Sequence, residues 1–145
     1  MIEKAIISRV SGEARFAKVD FTFGINNSNP SVDGPTDRDY IVFYRLNTKP
    51  NSTKGFPGNT TGKSFLDTAD VQFNCYSRTA IGSANLAEYV RGVYDRLSGT
   101  FGGIEVQSMD FINMETLFEF NETVNTKGFY QVSLVFSCRF KPQYQ

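Results

Sequence analysis

The chain has 145 residues, 40% hydrophobic and 21% charged, with fifteen basic and fifteen acidic side chains. That is enough for one domain around one core and excludes an extensively disordered chain, and the balanced charge argues against generalised binding to nucleic acid or membrane. Histidine is absent and there are two cysteines, which removes the commonest metal ligand and the usual base near neutral pH and excludes a disulfide scaffold.

In chain order, Ile2, Ala5, Ile6 and Val10 recur at a spacing that fits a short amphipathic helix. "KVDFTF" then alternates, with Val19, Phe21 and Phe23 on one side, as in a strand with one buried face. "GINNSNPSVDGPTDRD" is dense in Gly, Pro, Asn and Asp and reads as a loop. "YIVFYRL" is β-rich and reads as a strand buried on both faces or at an interface. A long loop follows, about residues 47–64, without periodicity; such a segment inside one domain is functional or mobile.

"DVQFNCYS" alternates again, placing Val71, Phe73 and Cys75 on one face. Thr79 or Ser83 is positioned to cap the next helix. Leu86, Val90, Val93, Tyr94 and Leu97 recur every three or four residues, so the helix is expected to run to Leu97 and end at Gly99. "IEVQSMDFIN" reads as a strand with mixed faces, "LFEFNE" as a further alternating strand, and residues 125–128 as a turn. In "YQVSLVFSCRFK", Tyr130, Val132, Leu134, Phe136, Cys138 and Phe140 share one face, with only Val135 out of pattern. The expected fold is α+β: a largely antiparallel sheet with a helix on one face, a short N-terminal helix and a long loop between central strands, all one domain over residues 1–145. Its expected core is Val71, Phe73, Cys75, Leu86, Val90, Val93, Leu97, Val132, Leu134, Phe136 and Cys138.

Chemical motifs fail on inspection. Gly62-Lys63-Ser64 ends like an NTPase phosphate loop, but Pro57 stands where the first glycine belongs, and an alternating strand follows where a helix should open. Asn29, Ser31, Asp33, Gly34 and Asp37 fall at the offsets of a calcium loop, yet the closing glutamate position is Tyr40. Cys75 and Cys138 lie on apolar faces, as core cysteines do. Sequons at Asn26, Asn51, Asn59 and Asn121 carry little weight without a secretion signal, which the N-terminus does not display. Intracellular synthesis is the expectation. No apolar run approaches the ~18 residues of a membrane helix. No catalytic base pairs with a nucleophile in any local pattern, so no enzyme, metal or cofactor is expected.

Charge is segregated along the chain. Arg45, Lys49, Lys54 and Lys63 occur without an acid between them, and Glu105, Asp110, Glu115, Glu119 and Glu122 without a base. These are two solvated faces or two complementary patches that meet between copies. An acidic strip also suits a channel that must not retain DNA.

The parts in this order resemble the tail terminator (tail completion) proteins of tailed bacteriophages and related tail-to-head joining proteins. The resemblance is carried by Pro35 before "YIVFYRL", the long loop to "ADVQFNCYS", the helix in "GSANLAEYVRGVYDRL" and the last strand in "GFYQVSLVFSCRF". It runs best over residues 40–141 and rests on pattern and order. It implies a homo-oligomer, a hexameric ring, that caps the tail tube and meets a head-closure or connector protein. DNA would pass through the lumen without sequence-specific binding. It implies a virion location, in the tail or neck, after assembly in the host cytoplasm, and no membrane. The region 49–63, with Arg45, is the expected contact to tube or neighbouring subunit; the acidic segment is the expected lumen or subunit seam. "KVDFTFGINN" departs from the family in being plainly a strand, which adds a strand or an arm. The alternatives are another neck, tail-tube or head-closure subunit, or a monomeric protein-binding module.

Overall fold

In the computed structural model, which describes residues 2–17, 19–23, 39–50, 66–119 and 129–141, the chain runs α1 (Ile2–Val10), a 3₁₀ turn (Ala14–Phe16), β1 (Asp20–Phe23), β2 (Tyr40–Pro50), β3 (Asp67–Ser77), α2 (Ala80–Tyr94), β4 (Gly99–Phe101), β5 (Ile104–Glu119) and β6 (Phe129–Phe140). The strands form one six-stranded sheet in the order β1-β2-β3-β6-β5-β4. β1 runs parallel to β2, and every other neighbour pair is antiparallel. The α+β expectation therefore holds, with one parallel pair at the edge.

The core lies on one face of this sheet. Alternate residues of β3 (Ala69, Val71, Phe73, Cys75) and of β6 (Val132, Leu134, Phe136, Cys138, Phe140) are buried, because the period of two sends them all to the same side. α2 packs over β3, β6 and β5 with Leu86, Ala87, Val90, Val93 and Tyr94; α1 packs beside it over β4 and β5. The Phe73 ring packs against Phe43, Tyr94 and Phe136, and Phe111 against Phe136, at centroid separations of 5.0–5.8 Å, close to the spacing aromatic pairs prefer. The Tyr94 hydroxyl donates to the Ile6 carbonyl at 2.7 Å, tying α2 to α1 through a buried hydrogen bond.

Thr79 caps α2, its hydroxyl accepting from the Gly82 N–H at 3.0 Å; Ser83 lies inside the helix, its hydroxyl turned to the Ala80 carbonyl. The helix ends three residues before the expected Leu97. Asp95 turns extended and Arg96 takes the left-handed conformation (φ 60°) expected of Gly99. The Arg96 N–H donates to the Met109 carbonyl at 2.6 Å, so a contact with β5 holds the bend. Leu97, counted with the helix by its spacing, is half-buried against the core from the following loop.

Three strands differ from expectation. β5 is one 16-residue strand where two were expected, and it carries bulges at Gln107 and Ile112. β2 continues through Asn47–Pro50, so the long loop begins later; residues 51–65 lie outside the described residues, as does the expected turn at 125–128. β4 was not anticipated. It reaches β5 through Gly102-Gly103, both at positive φ (58° and 80°), as a tight two-residue hairpin demands. Over residues 40–44, β2 is fully buried on its core side (Ile41, Phe43) and half-buried on the other (Tyr40, Val42, Tyr44), and from Arg45 to Lys49 it is exposed.

Candidate functional site

Both helices sit on the core face, and among the described residues no helix covers the other. That outer face carries Tyr40, Val42 and Tyr44 from β2, Asp70, Gln72, Asn74 and Tyr76 from β3, alternate residues of β6 from Gln131 to Arg139, and the acids of β5. It is polar and internally bonded. Gln131 donates to Ser133 (3.0 Å), Ser133 donates to Asn74 Oδ1 (2.8 Å), and Gln72 donates to the same oxygen (2.8 Å). Asn74 and Ser133 are buried at the centre of this ladder. Gln72, Asn113, Glu115, Gln131, Ser133 and Val135 line a shallow, half-open depression of about 300 Å³ here. Tyr40 and Tyr76 stack beside it at 4.4 Å. This ladder was not singled out from sequence, though its signal is present: a strand whose outward positions are Gln and Asn rather than Lys and Glu bonds to itself.

The acids of β5 gather on this face. Glu105, Asp110 and Glu115 are exposed; Asp110 stands opposite Ser137 and Glu115 opposite Ser133. Their sequence spacing of five would put neighbours on opposite sides of a regular strand. Each bulge adds one residue and restores the phase. Glu119 is a backbone partner of Phe129, and Glu122 lies outside the described residues.

The bases do not stay together. Arg45 and Lys49 would share a face on a regular strand, but Leu46 forms a bulge between them. Arg45 opposes Val71 on the core side, and Lys49 opposes Thr68 on the outer side. Arg45 Nε lies 3.1 Å from Glu3 Oε1, and its Nη1 donates to Thr48 at 3.0 Å. The Glu3 carboxylate is buried, and among the described residues neither oxygen has a hydrogen-bond partner, so this ionic contact is its compensation. Nothing in the sequence marked Glu3: a charged residue in a short amphipathic helix reads as solvent-facing. Lys54 and Lys63 lie outside the described residues, as do Gly62-Lys63-Ser64, the calcium-like offsets from Asn29 to Asp37, and the sequons. β3 begins at Asp67 and β2 at Tyr40, so strands stand where an NTPase loop or a calcium loop would open a helix.

Cys75 and Cys138 are buried free thiols, and burial pushes both far above the ordinary thiol range. Among the described residues no three His, Cys, Asp or Glu side chains cluster as metal ligands, and no helix is long and apolar enough to cross a membrane.

Among the described residues, two stretches of sheet edge have no partner strand. β4 pairs with β5 only over Ile104–Val106. Beyond it Arg96 takes the Met109 carbonyl, and the Phe111 N–H donates to Asp95 Oδ1 at 3.2 Å. From residue 112 to 119 no described residue pairs with that side of β5. At the other end β1 pairs with β2 only from Tyr40 to Phe43, leaving residues 44–50 with β3 as sole described partner.

No family model matches the chain, and no curated protein matches it in sequence. Among solved structures, the fold is similar to that of a chain in the virion of a native gene transfer agent (GTA) particle, with a TM-score of 0.60 and 12% sequence identity, covering 95% of this chain and 92% of that one. At that identity the likeness is one of fold, and it spans nearly the whole of both chains.

Proposed function

We propose that the chain is a structural virion protein that forms a ring, caps a phage tail tube and joins it to the head or neck. The observation that carries this reading is the fold likeness to a virion chain over nearly the full length of both. The surface supports it. The polar outer face with Glu105, Asp110 and Glu115 suits a lumen through which DNA slides without sticking, since like charge repels phosphate. Lys49 and the region after it are the candidate contact to tube or neighbour. In this reading the protein is not an enzyme, acts without a cofactor and works within the virion.

The test is light scattering with negative-stain imaging of the purified chain, with and without tail-tube protein. Rings of about six subunits, or rings seated at tube ends, are the expected result. Long filaments would instead mark a tube subunit. A chain that stays monomeric and ignores tubes overturns the reading in favour of a monomeric binding module.

A further inference from the structure

The two edge stretches without a partner strand among the described residues lie at opposite sides of one sheet, and they match. Residues 44–49 of β2 hold no acid and carry Lys49 on the outer face, Arg45 being engaged with Glu3 on the core side; residues 113–119 of β5 hold Glu115 and Glu119 and no base. Exposed backbone N–H and C=O groups on a strand edge are a template for another strand. We infer that the β5 edge of one copy pairs antiparallel with the β2 edge of the next, so that the subunit seam is a continuation of the sheet. This rests on the ring reading above and names its interface.

Three arguments choose this occupant. Self-pairing of β5 with β5 sets acids against acids, which is unfavourable across strands; of the two bases of β2, Lys49 shares the outer face with Glu115, and the heterologous pair brings these opposite signs together. A heterologous contact is also the kind that closes rings. The third argument is shape. Tyr44, Gln72, Val135 and Asn113 form one row across the sheet. The open part of β2 extends from this row towards one end, and the open part of β5 towards the other. The blocks that close the edges, β4 on one side and β1 on the other, therefore slide past one another. Joining the open stretches staggers neighbouring copies by about six residues, roughly 20 Å, across four strand spacings of about 4.8 Å each. The resulting strand tilt of roughly 45° is what a sheet needs to close on itself.

The experiment combines amide hydrogen exchange of dispersed and assembled chain with cross-linking of Lys49→Cys, Glu115→Cys and the double variant by a short bismaleimide. Native Cys75 and Cys138 are buried and do not compete. The expected result is exchange slowed on the order of 100-fold in 44–49 and 113–119 on assembly alone, with a ladder of cross-linked species from the double variant and none from either single one. Assembly without that protection or ladder overturns the seam and leaves the ring standing. A chain monomeric at every concentration, with tube protein present, overturns both. Protection already complete in dispersed chain means that the chain's own segments cover these edges, and it overturns the seam. Protection that needs tube protein assigns the edges to that partner and does the same. Unchanged exchange in β3 and β6 confirms that the variants fold.

Discussion

Leu134→Ala tests the facing of the central strand. Leu134 is fully buried on β6, in a core-side row with Phe43, Phe73 and Met114. The substitution removes three carbons, about 2.4 kcal/mol at about 0.8 kcal/mol per methylene. To this is added about 24 cal/mol for each Å³ of cavity that stays open. β6 is held by β3 on one side and β5 on the other, so its backbone has little freedom to close the hole. The expected loss is about 3–4 kcal/mol, or about 10–15 °C in Tm for a chain of this size. Val135→Ala is the internal control. Val135 is one residue away and half-buried on the outer face, so its loss should stay near 0.5–1 kcal/mol. Urea denaturation followed by far-ultraviolet circular dichroism measures both, at one protomer concentration so that assembly does not shift the midpoint. A loss below about 1 kcal/mol for Leu134→Ala, or equal losses at the two positions, refutes the two-faced sheet.

Tyr94→Phe should cost about 0.5–1.5 kcal/mol in the same melts, because the Ile6 carbonyl loses a buried donor yet keeps its helical partner; a neutral result means the link between the helices is idle. Arg45→Met should cost roughly 1–3 kcal/mol by leaving the buried Glu3 carboxylate uncompensated, less than for a fully buried pair because Arg45 is 38% exposed. Adding Glu3→Gln should recover most of that loss, and a single variant as stable as wild type removes the pair from the account. The raised thiols of Cys75 and Cys138 bind protons longer in the folded chain than in the unfolded one. Stability should therefore be level below about pH 8.5 and fall as pH rises above it, approaching about 2.7 kcal/mol per pH unit for the two thiols together. A Cys75→Ala, Cys138→Ala chain should lose that slope between pH 8 and 9.5; an unchanged slope assigns it to other groups.

What the sequence discloses depends on whether burial is periodic. β3 and β6 were legible because the core face of each is apolar over most of its length. β5 was not, since Ile104, Val106, Met109, Phe111 and Met114 step by two, three, two and three around its bulges, a rhythm that belongs to neither strand nor helix. The last part of β2 hid for another reason. Beyond Phe43 it has no β1 beside it, its side chains from Arg45 to Lys49 are exposed, and an exposed strand has no apolar code to read. Leu97 kept the helical spacing by chance of the bend at Arg96. The acids Glu105, Asp110 and Glu115 were picked out by charge alone, and their common face became visible only with the bulges. The bases were picked out in the same way, and the bulge at Leu46 separated them.

Those bulges also constrain what inheritance can do to the protein. Losing the codon for residue 107 or 112 would remove a bulge and leave a regular strand with its side chains still on their own faces, because these are the residues that the register with β6 skips. One residue gained between Asn113 and Met114 would do the opposite, sending Met114 to the open surface and Glu115 to the core unless it formed a further bulge. Losses in β5 are therefore expected at its two bulges, and gains in pairs. The lineage of this strand is thus kept by arithmetic as much as by chemistry.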